Sequence, residues 1–293
     1  MKKQSQYFYT LLLIVLANVT GNAQSPVNGF MQGKGKGSAV LSYYTETYIR
    51  AYEAPANSGI LVNSKVKSKI VSAFTTFGVS KKVDLQINLP YASASGEVTK
   101  EIRDNIGEKN EKSGLQDIGI YVKYNPFNFK IGKSTLSLLG AAGLLTPFGD
   151  YQIDQKYQSA VTIGSRSTQF TGVFLLHYKL NSGLFFTGAA GYSLRSNNVP
   201  NAAILEFKTG FAGKRIYVDG YIAGQTSAAT KSSQNNLNNI SAFAGSNLNY
   251  SRIGLNVFVP VYKKLGLAGG LSTYTKGRSE GEEGGYGAVI YTF

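Results

Sequence analysis

The only histidine of the chain, His177, is the side chain best suited to acid–base chemistry near neutral pH, and the chain contains no cysteine. His177 lies in the stretch LLHYKL, and a strand period of two puts Lys179 on its side. The opposite side, with Phe174 and Leu176, is more apolar. If this strand belongs to a β-barrel in a membrane and its apolar side meets lipid, His177 points into the interior of the barrel.

A lipid-processing barrel of the outer-membrane phospholipase type is one alternative that His177 leaves open. Such an enzyme needs a serine nucleophile activated by the histidine, with a third group that orients the ring. It also needs the histidine on the lipid side, whereas the alternation around His177 points it inward. A register shift of one residue would reverse that direction. We assign no catalytic residue and keep the enzyme as an alternative function.

The sequence predicts no metal centre and no cofactor. With one histidine and no cysteine, only carboxylates remain as ligands, and the acidic run Glu280, Glu282 and Glu283 lacks the spacing of a calcium loop. The glycine-rich stretch GKGKG (33–37) lacks the spacing of a phosphate-binding loop and precedes a strand instead of a helix. We expect it to belong to a flexible tail.

The elements that position these residues are β-strands. Residues 83–89, VDLQINL, alternate apolar and polar side chains without exception, which is the pattern of a strand with two unlike faces. The 34 glycines, 20 tyrosines and 16 phenylalanines also favour an all-β chain. Twelve strands are predicted: 37–53, 63–79, 82–97, 113–126, 134–147, 167–180, 183–196, 201–212, 215–228, 250–260, 265–277 and 284–293.

The lengths of the connections alternate along the chain. Short ones fall at 80–81, 127–133, 181–182, 213–214 and 261–264, and most of the others are longer and polar. Short periplasmic turns opposite long extracellular loops are typical of an antiparallel transmembrane β-barrel of the outer membrane. Most predicted strands also exceed the roughly 9–11 residues that a tilted strand needs to cross lipid. A soluble periplasmic β-sandwich is the alternative, but its strands are shorter.

The chain divides into three predicted parts. Residues 1–23 have a basic start and a short apolar core, so they predict a secretory signal peptide, with export to the cell outer membrane. Residues 24–36 form a short periplasmic N-terminal tail, with no room for a large plug domain, and residues 37–293 form the barrel. The last strand ends in Phe293, which resembles the signal that the barrel-assembly machinery reads.

Charge in lipid is costly, so the charged residues of the strands are expected to face the interior. The candidate pore-lining residues are Glu46, Arg50, Asp84, Asp117, Lys123, His177, Arg195, Glu206, Lys208, Asp219 and Arg252. Lys65, Lys67 and Lys69 alternate near the outer end of the second strand. They form either a positive outer lip that attracts anions or a row that contacts lipid phosphates. The net charge of +14 is spread over many loops of an exported chain, which argues against nucleic acid as a partner.

Two stretches carry a resemblance to a known family. SGLQDIGIYVKY (113–124) and GLLTPFGDY (143–151) resemble motifs of the outer-membrane transporter family named for the meta-pathway of phenol degradation. Gln116 stands where that family commonly has glycine, and Phe148 where it commonly has threonine. The resemblance implies a twelve-stranded barrel of a Gram-negative bacterium that moves small molecules.

The expected function is therefore an outer-membrane channel or transporter with a narrow lumen. Hydrophobic or aromatic compounds and anions are the candidate solutes, and membrane lipid is the surrounding partner. A non-conducting barrel that binds a partner through its loops or stiffens the envelope remains an alternative. A measurement of ion conductance distinguishes the channel from the non-conducting barrel.

Overall fold

The computed structural model describes residues 27–53, 61–96, 111–149, 167–197, 199–227, 249–276 and 283–293. These ranges contain thirteen β-strands. They are β1 (Gly37–Glu53), β2 (Leu61–Gly78), β3 (Val83–Gly96), β4 (Glu111–Leu115), β5 (Asp117–Ile131), β6 (Ser134–Pro147), β7 (Gln169–Lys179), β8 (Leu184–Arg195), β9 (Ala202–Ala212), β10 (Tyr217–Ser227), β11 (Tyr250–Tyr262), β12 (Leu265–Lys276) and β13 (Glu283–Thr292).

The strands close into one antiparallel barrel. Except for β4 and β5, strands that follow one another in sequence pair with each other, and β1 pairs with both β2 and β13, which joins the two edges of the sheet. β4 and β5 lie one after the other along the same edge of β3, so the ring has twelve positions. The predicted all-β, twelve-stranded barrel is confirmed.

The predicted fourth strand is interrupted at Gln116, which separates β4 from β5. The break faces Pro90 of β3, whose carbonyl accepts a hydrogen bond from the Gln116 N–H at 2.8 Å. Proline has no N–H to return a bond, so the ladder between the two strands is weakened at this point. Gln116, where this chain differs from the pattern of the family that it resembles, therefore lies at a break in the hydrogen-bond ladder along β3.

Two of the predicted short connections are shorter still in the structure. β5 continues past its predicted end at residue 126 to Ile131, with a register shift between Tyr124 and Phe127 that absorbs Pro126. The turn that follows is Gly132-Lys133, and Gly132 has a φ of 60°. Similarly, β11 continues past its predicted end at Pro260 to Tyr262, with a register shift between these two residues. A bulge in a strand accommodates a proline that would otherwise end it, so the predicted strand ends at residues 126 and 260 are wrong.

The outer face of the barrel is apolar. Its strands expose a belt of large hydrophobic side chains, with Leu255 62%, Phe174 55% and Val289 50% exposed. Such a belt is stable only against lipid, and a closed barrel leaves no unpaired edge inside it. The chain is therefore an outer-membrane barrel. Among the described residues, no helix has the length and hydropathy to cross a membrane.

The chain turns sharply just before β1. Gly33 and Gly35 have φ values of 86° and 73°, a region that favours glycine. The Gly35 N–H donates to the Gly78 carbonyl at 2.8 Å, and the Lys36 N–H donates to the Gly33 carbonyl at 3.2 Å. Because Gly78 is the last residue of β2, this turn lies at the end of the barrel that carries the short connections.

Candidate functional site: the barrel interior

The structure gives each predicted pore-lining residue a position. Asp84, Lys123, His177, Glu206, Lys208 and Asp219 are buried, and Glu46, Asp117, Arg195 and Arg252 are partly buried. The side chain of Arg50 lies outside the described part of the chain. The strand period is clearest at Lys123 and Glu206, whose neighbours on both sides are exposed on the apolar outer face.

The predicted outer lip lies on a different face. Lys67 and Lys69 are exposed and share the outward face of β2 with Val71, which is 44% exposed. Their direction matches the alternative in which they contact lipid phosphates. The side chain of Lys65 lies outside the described part of the chain.

An ion pair between β3 and β5 lies at the end with the short connections. Lys123 Nζ is 3.3 Å from Asp84 Oδ2, and the two side chains are 1% and 0% exposed. The strands are paired here, with Asp84 opposite Lys123. A buried pair of this kind needs further hydrogen bonds to offset its desolvation.

Residues 27–32, here called the inner segment, supply those hydrogen bonds. Lys123 Nζ donates to the Asn28 carbonyl at 3.2 Å and to the Phe30 carbonyl, and the Gln32 N–H donates to Asp84 Oδ2 at 3.0 Å. Val27 is 3% exposed and belongs to an apolar cluster with side chains of β5 to β8. The inner segment therefore lies inside the barrel, a placement that the expectation of a flexible tail missed.

The inner segment reaches across the lumen. On one side it bonds to Asp84 of β3, and on the other the Phe30 ring lies 6.1 Å from the Tyr217 ring of β10. With β4 and β5 counted together, β3 and β10 occupy the third and ninth of the twelve ring positions. These positions are opposite each other, so the inner segment narrows the passage at this level.

Aromatic rings surround Phe30. The ring centroid of Phe30 lies 4.5 Å from His177 and 5.1 Å from Phe185, both in edge-to-face geometry, and Lys179 Nζ lies 5.6 Å from the centroid of Phe30. Phe185 and Tyr217 stack at 5.5 Å. Edge-to-face contacts and a nearby cation both favour an aromatic ring at this position.

His177 is part of this aromatic wall. Its Nδ1 lies 2.7 Å from Thr187 Oγ1, the residue is 4% exposed, and Gly29 of the inner segment packs against the ring. Nε2 is buried and has no hydrogen-bond partner among the described residues. The histidine faces the interior and not the lipid side that the phospholipase alternative requires.

A second polar cluster lies nearer the long connections. The Arg252 guanidinium lies between the rings of Tyr44 and Tyr274, with centroids at 5.3 and 5.2 Å, and it donates to the Tyr44 hydroxyl and to Ser272 Oγ. The Tyr44 hydroxyl donates to Glu46 Oε2 at 2.5 Å. Stacking and bonding of this kind fix a guanidinium in one place.

Smaller polar groups line the wall between the two clusters. Lys208 Nζ lies 3.6 Å from Glu206 Oε1, and Asn256 Nδ2 donates to Asp219 Oδ1 at 2.8 Å. Near the long connections, the Arg195 guanidinium donates to Gln225 Oε1 at 2.9 Å. These charges of both signs are held by neighbours on the wall. Among the described residues, no cluster of histidines and carboxylates could hold a metal ion.

Tyrosine rings lie flat against glycines on the inner wall. A Cβ at Gly143 would overlap the Tyr121 ring, and a Cβ at Gly254 would overlap the Tyr221 ring. In both cases the glycine is the cross-strand partner of the tyrosine. Glycine at these positions lets a large ring lie along the wall, which leaves space at the centre of the lumen.

The inner segment carried a weak signal in the sequence. Val27, Phe30 and Met31 are apolar residues between the predicted signal peptide and a glycine-rich turn, a composition that a solvated tail does not need. No sequence pattern could identify their partners, because these belong to strands throughout the barrel.

The fold is similar to that of a known outer membrane channel. The crystal structure of an outer membrane channel from Pseudomonas putida F1 superposes with a TM-score of 0.67 at 12% identity, over 92% of this chain and all of that one. The translocator domain of autotransporter NalP from Neisseria meningitidis gives 0.48 at 10% identity, over 92% and 90%. The Pseudomonas putida toluene transporter TodX gives 0.39 at 6% identity, over 88% of each chain.

Sequence comparisons identify the family. No curated protein matches this chain in sequence. A family model does match, over residues 20–286, which is nearly the whole barrel. The match agrees with the resemblance carried by residues 113–124 and 143–151. The chain belongs to the family described as "Putative MetA-pathway of phenol degradation".

Proposed function

We propose that the barrel is a channel that passes small solutes across the outer membrane through a narrow lumen. The observation that carries the proposal is the contrast between the two faces of the wall. Asp84, Lys123, Glu206, Lys208 and Asp219 are buried inside, while the outer face is apolar. A polar interior is typical of outer-membrane barrels that hold water and solutes.

In this proposal the solute meets two constrictions in turn. The first is the Arg252 cluster near the extracellular loops, with Glu46, Arg50, Asp117 and Arg195 as the charged residues of that half. The second is the inner segment with Asp84, Lys123 and His177 near the periplasmic turns. Lys65, Lys67 and Lys69 would act outside the lumen, on lipid phosphates.

Single-channel recording of the refolded protein in a planar bilayer under a salt gradient tests the channel. We expect small, discrete openings that become larger when residues 27–32 are deleted. A barrel that folds, as judged by heat-modifiable migration on a gel, but never conducts in either form would contradict the proposal. That result would favour the alternative of a non-conducting barrel that acts through its loops.

We also propose that the barrel-assembly machinery recognises the C-terminal end of the chain through outward aromatic residues. Tyr291 of β13 and Phe293, which directly follows β13, are 45% and 40% exposed on the outer face, and their rings stack at 6.3 Å. An exposed aromatic pair on a closing strand is available to an assembly partner before β1 joins it.

A further inference from the structure

We propose that Phe30 occupies a binding subsite for an aromatic ring, and that a small aromatic anion, one ring that bears an oxygen anion, competes with it. The inference rests on the proposed channel function, because the ligand reaches the subsite through the lumen. The subsite consists of His177, Phe185, Tyr217 and Lys179, with Lys123 beside it.

The walls of the subsite are selective for a flat ring. His177 and Phe185 present their rings to Phe30 at centroid distances of 4.5 and 5.1 Å with interplanar angles of 67° and 81°. Edge-to-face contacts of this kind favour an aromatic ring over an aliphatic group of the same size. The walls are themselves fixed, since Phe185 is fully buried and stacks on Tyr217.

The polar groups around the subsite favour an anion. Lys123 Nζ donates to the Phe30 carbonyl and to both oxygens of Asn28, so it already binds acceptor oxygens adjacent to the ring. Lys179 Nζ lies 5.6 Å from the ring centroid of Phe30. Asp84 forms an ion pair with Lys123, so it balances the charge of only one of these two lysines. His177 Nε2, buried and without a partner among the described residues, adds a further group that can bond to a ligand oxygen.

The inner segment is attached in a way that permits exchange. The bonds from Asn28, Phe30 and Gln32 to the wall run to the side chains of Lys123 and Asp84, and not into the ladder of a strand. The turn at Gly33 and Gly35 is a flexible point just beyond the segment. A ligand that supplies a ring and an oxygen anion replaces both kinds of contact that Phe30 makes.

Binding of benzoate to the refolded full-length protein, measured by isothermal titration calorimetry, tests the inference. We expect Phe30→Ala to bind benzoate about tenfold more tightly than the unchanged protein. This factor applies if Phe30 leaves the subsite empty in about one-tenth of the molecules, because the apparent affinity of a ligand falls in proportion to that fraction. Adding Phe185→Ala to that variant should abolish the gain. Phe186→Ala, which removes the outward-facing ring next in sequence, should leave it intact.

Cyclohexanecarboxylate is the matched control ligand, because it has the same charge without an aromatic ring. It should bind about threefold more weakly than benzoate or weaker still, because it makes no edge-to-face contacts with the rings of the subsite. Equal affinity of the two ligands, or equal affinity of Phe30→Ala and the unchanged protein for benzoate, would overturn the inference.

A second measurement keeps Phe30 in place. The chain has no native cysteine, so Met31→Cys gives a single thiol in the inner segment. Benzoate should raise the rate at which N-ethylmaleimide labels this thiol severalfold, because displacement of the segment exposes it. A rate that benzoate does not change would also count against the inference.

The outcomes separate this inference from the channel proposal. If benzoate binds to a barrel that does not conduct, the subsite proposal is supported and the channel proposal is contradicted. If the barrel conducts but Phe30→Ala does not change the affinity for benzoate, the channel proposal is supported and the subsite proposal is contradicted.

Discussion

Lys123 illustrates how much one buried residue contributes to this barrel. It pairs with Asp84 and also bonds to the inner segment, so Lys123→Met leaves the buried Asp84 carboxylate without its cation. Removing one partner of a buried ion pair typically lowers the free energy of unfolding by about 3–5 kcal/mol. We expect a loss of that size in urea unfolding of the protein in phospholipid vesicles.

The control for Lys123 is Lys214→Met, which removes a lysine from an exposed short connection. It should change the free energy of unfolding by less than about 0.5 kcal/mol. Equal effects of the two substitutions would mean that the ion pair contributes nothing beyond the loss of a surface lysine.

Arg252 is the residue expected to influence ion selectivity most directly. Its guanidinium is held between two tyrosines in the lumen, so Arg252→Gln removes one positive charge from a fixed position there. Anions should then permeate less well relative to cations, and the reversal potential under a salt gradient should move toward the cation value.

Lys67→Gln removes the same charge from the outer face of β2 and is the matched control for Arg252→Gln. It should leave the reversal potential unchanged. If Lys67→Gln moves the reversal potential and Arg252→Gln does not, the passage for ions does not run past Arg252, and the lysines form an anion-attracting lip after all.

At the scale of elements, pairing between strands decides which side chains fit on the inner wall. Gly143 of β6 lies opposite Tyr121 of β5, and a Cβ at Gly143 would overlap the tyrosine ring. In Gly143→Ala the ring must tilt into the lumen, at a cost of about 1–3 kcal/mol. We expect lower single-channel conductance and a lower midpoint of urea unfolding.

Gly140→Ala adds the same methyl group three residues earlier on β6, where nothing lies within 4 Å of the new Cβ. It should change neither conductance nor the unfolding midpoint appreciably. A reduced conductance in both variants would show that the strand tolerates no alanine, and would remove the tyrosine as the cause.

At the scale of the whole molecule, closure of the barrel depends on the seam between β1 and β13. Gly37 and Phe293 exchange backbone hydrogen bonds of 3.1 and 3.0 Å, and the Phe293 ring stacks on Phe77 at 6.4 Å. We expect Phe293→Ala to lower the fraction of heat-modifiable barrel severalfold when the protein is made in a Gram-negative host. Refolding of the purified variant into detergent should change less.

Phe77→Ala separates packing from recognition at this seam. It removes one of the two rings that stack on Phe293, the other being Tyr291, and this contact is worth about 1 kcal/mol. The residue at position 293 stays in place. If Phe77→Ala reduces assembly in cells as much as Phe293→Ala does, then Phe293 acts through packing and the proposed contact with the assembly machinery is unnecessary.

Most of the barrel could be predicted because its determinants are local. The inward direction of Asp84 follows from the alternation of residues 83–89, since successive side chains of a strand point to opposite faces wherever the strand lies. The splitting of the fourth strand could not be predicted in the same way. It depends on Pro90, a residue of the neighbouring strand, facing Gln116 across the ladder.

The candidate site was predictable only in part for the same reason. The sequence indicated which charged residues face inward, but not which of them meet. Arg252 reaches Tyr44 of β1 because β11, β12, β13 and β1 are adjacent in the closed ring, although 208 positions separate the two residues in the chain. Contacts across such a distance exist only after closure.

The sequence by itself determined the all-β class, the number of ring positions and the two faces of the wall, because a period of two is a local property of the chain. Only the tertiary structure decided where residues 27–32 lie. Their binding site is assembled from β3, from β5 to β8 and from β10, whose side chains converge when the barrel closes. A short apolar segment has no preferred place until that closed wall exists to bury it.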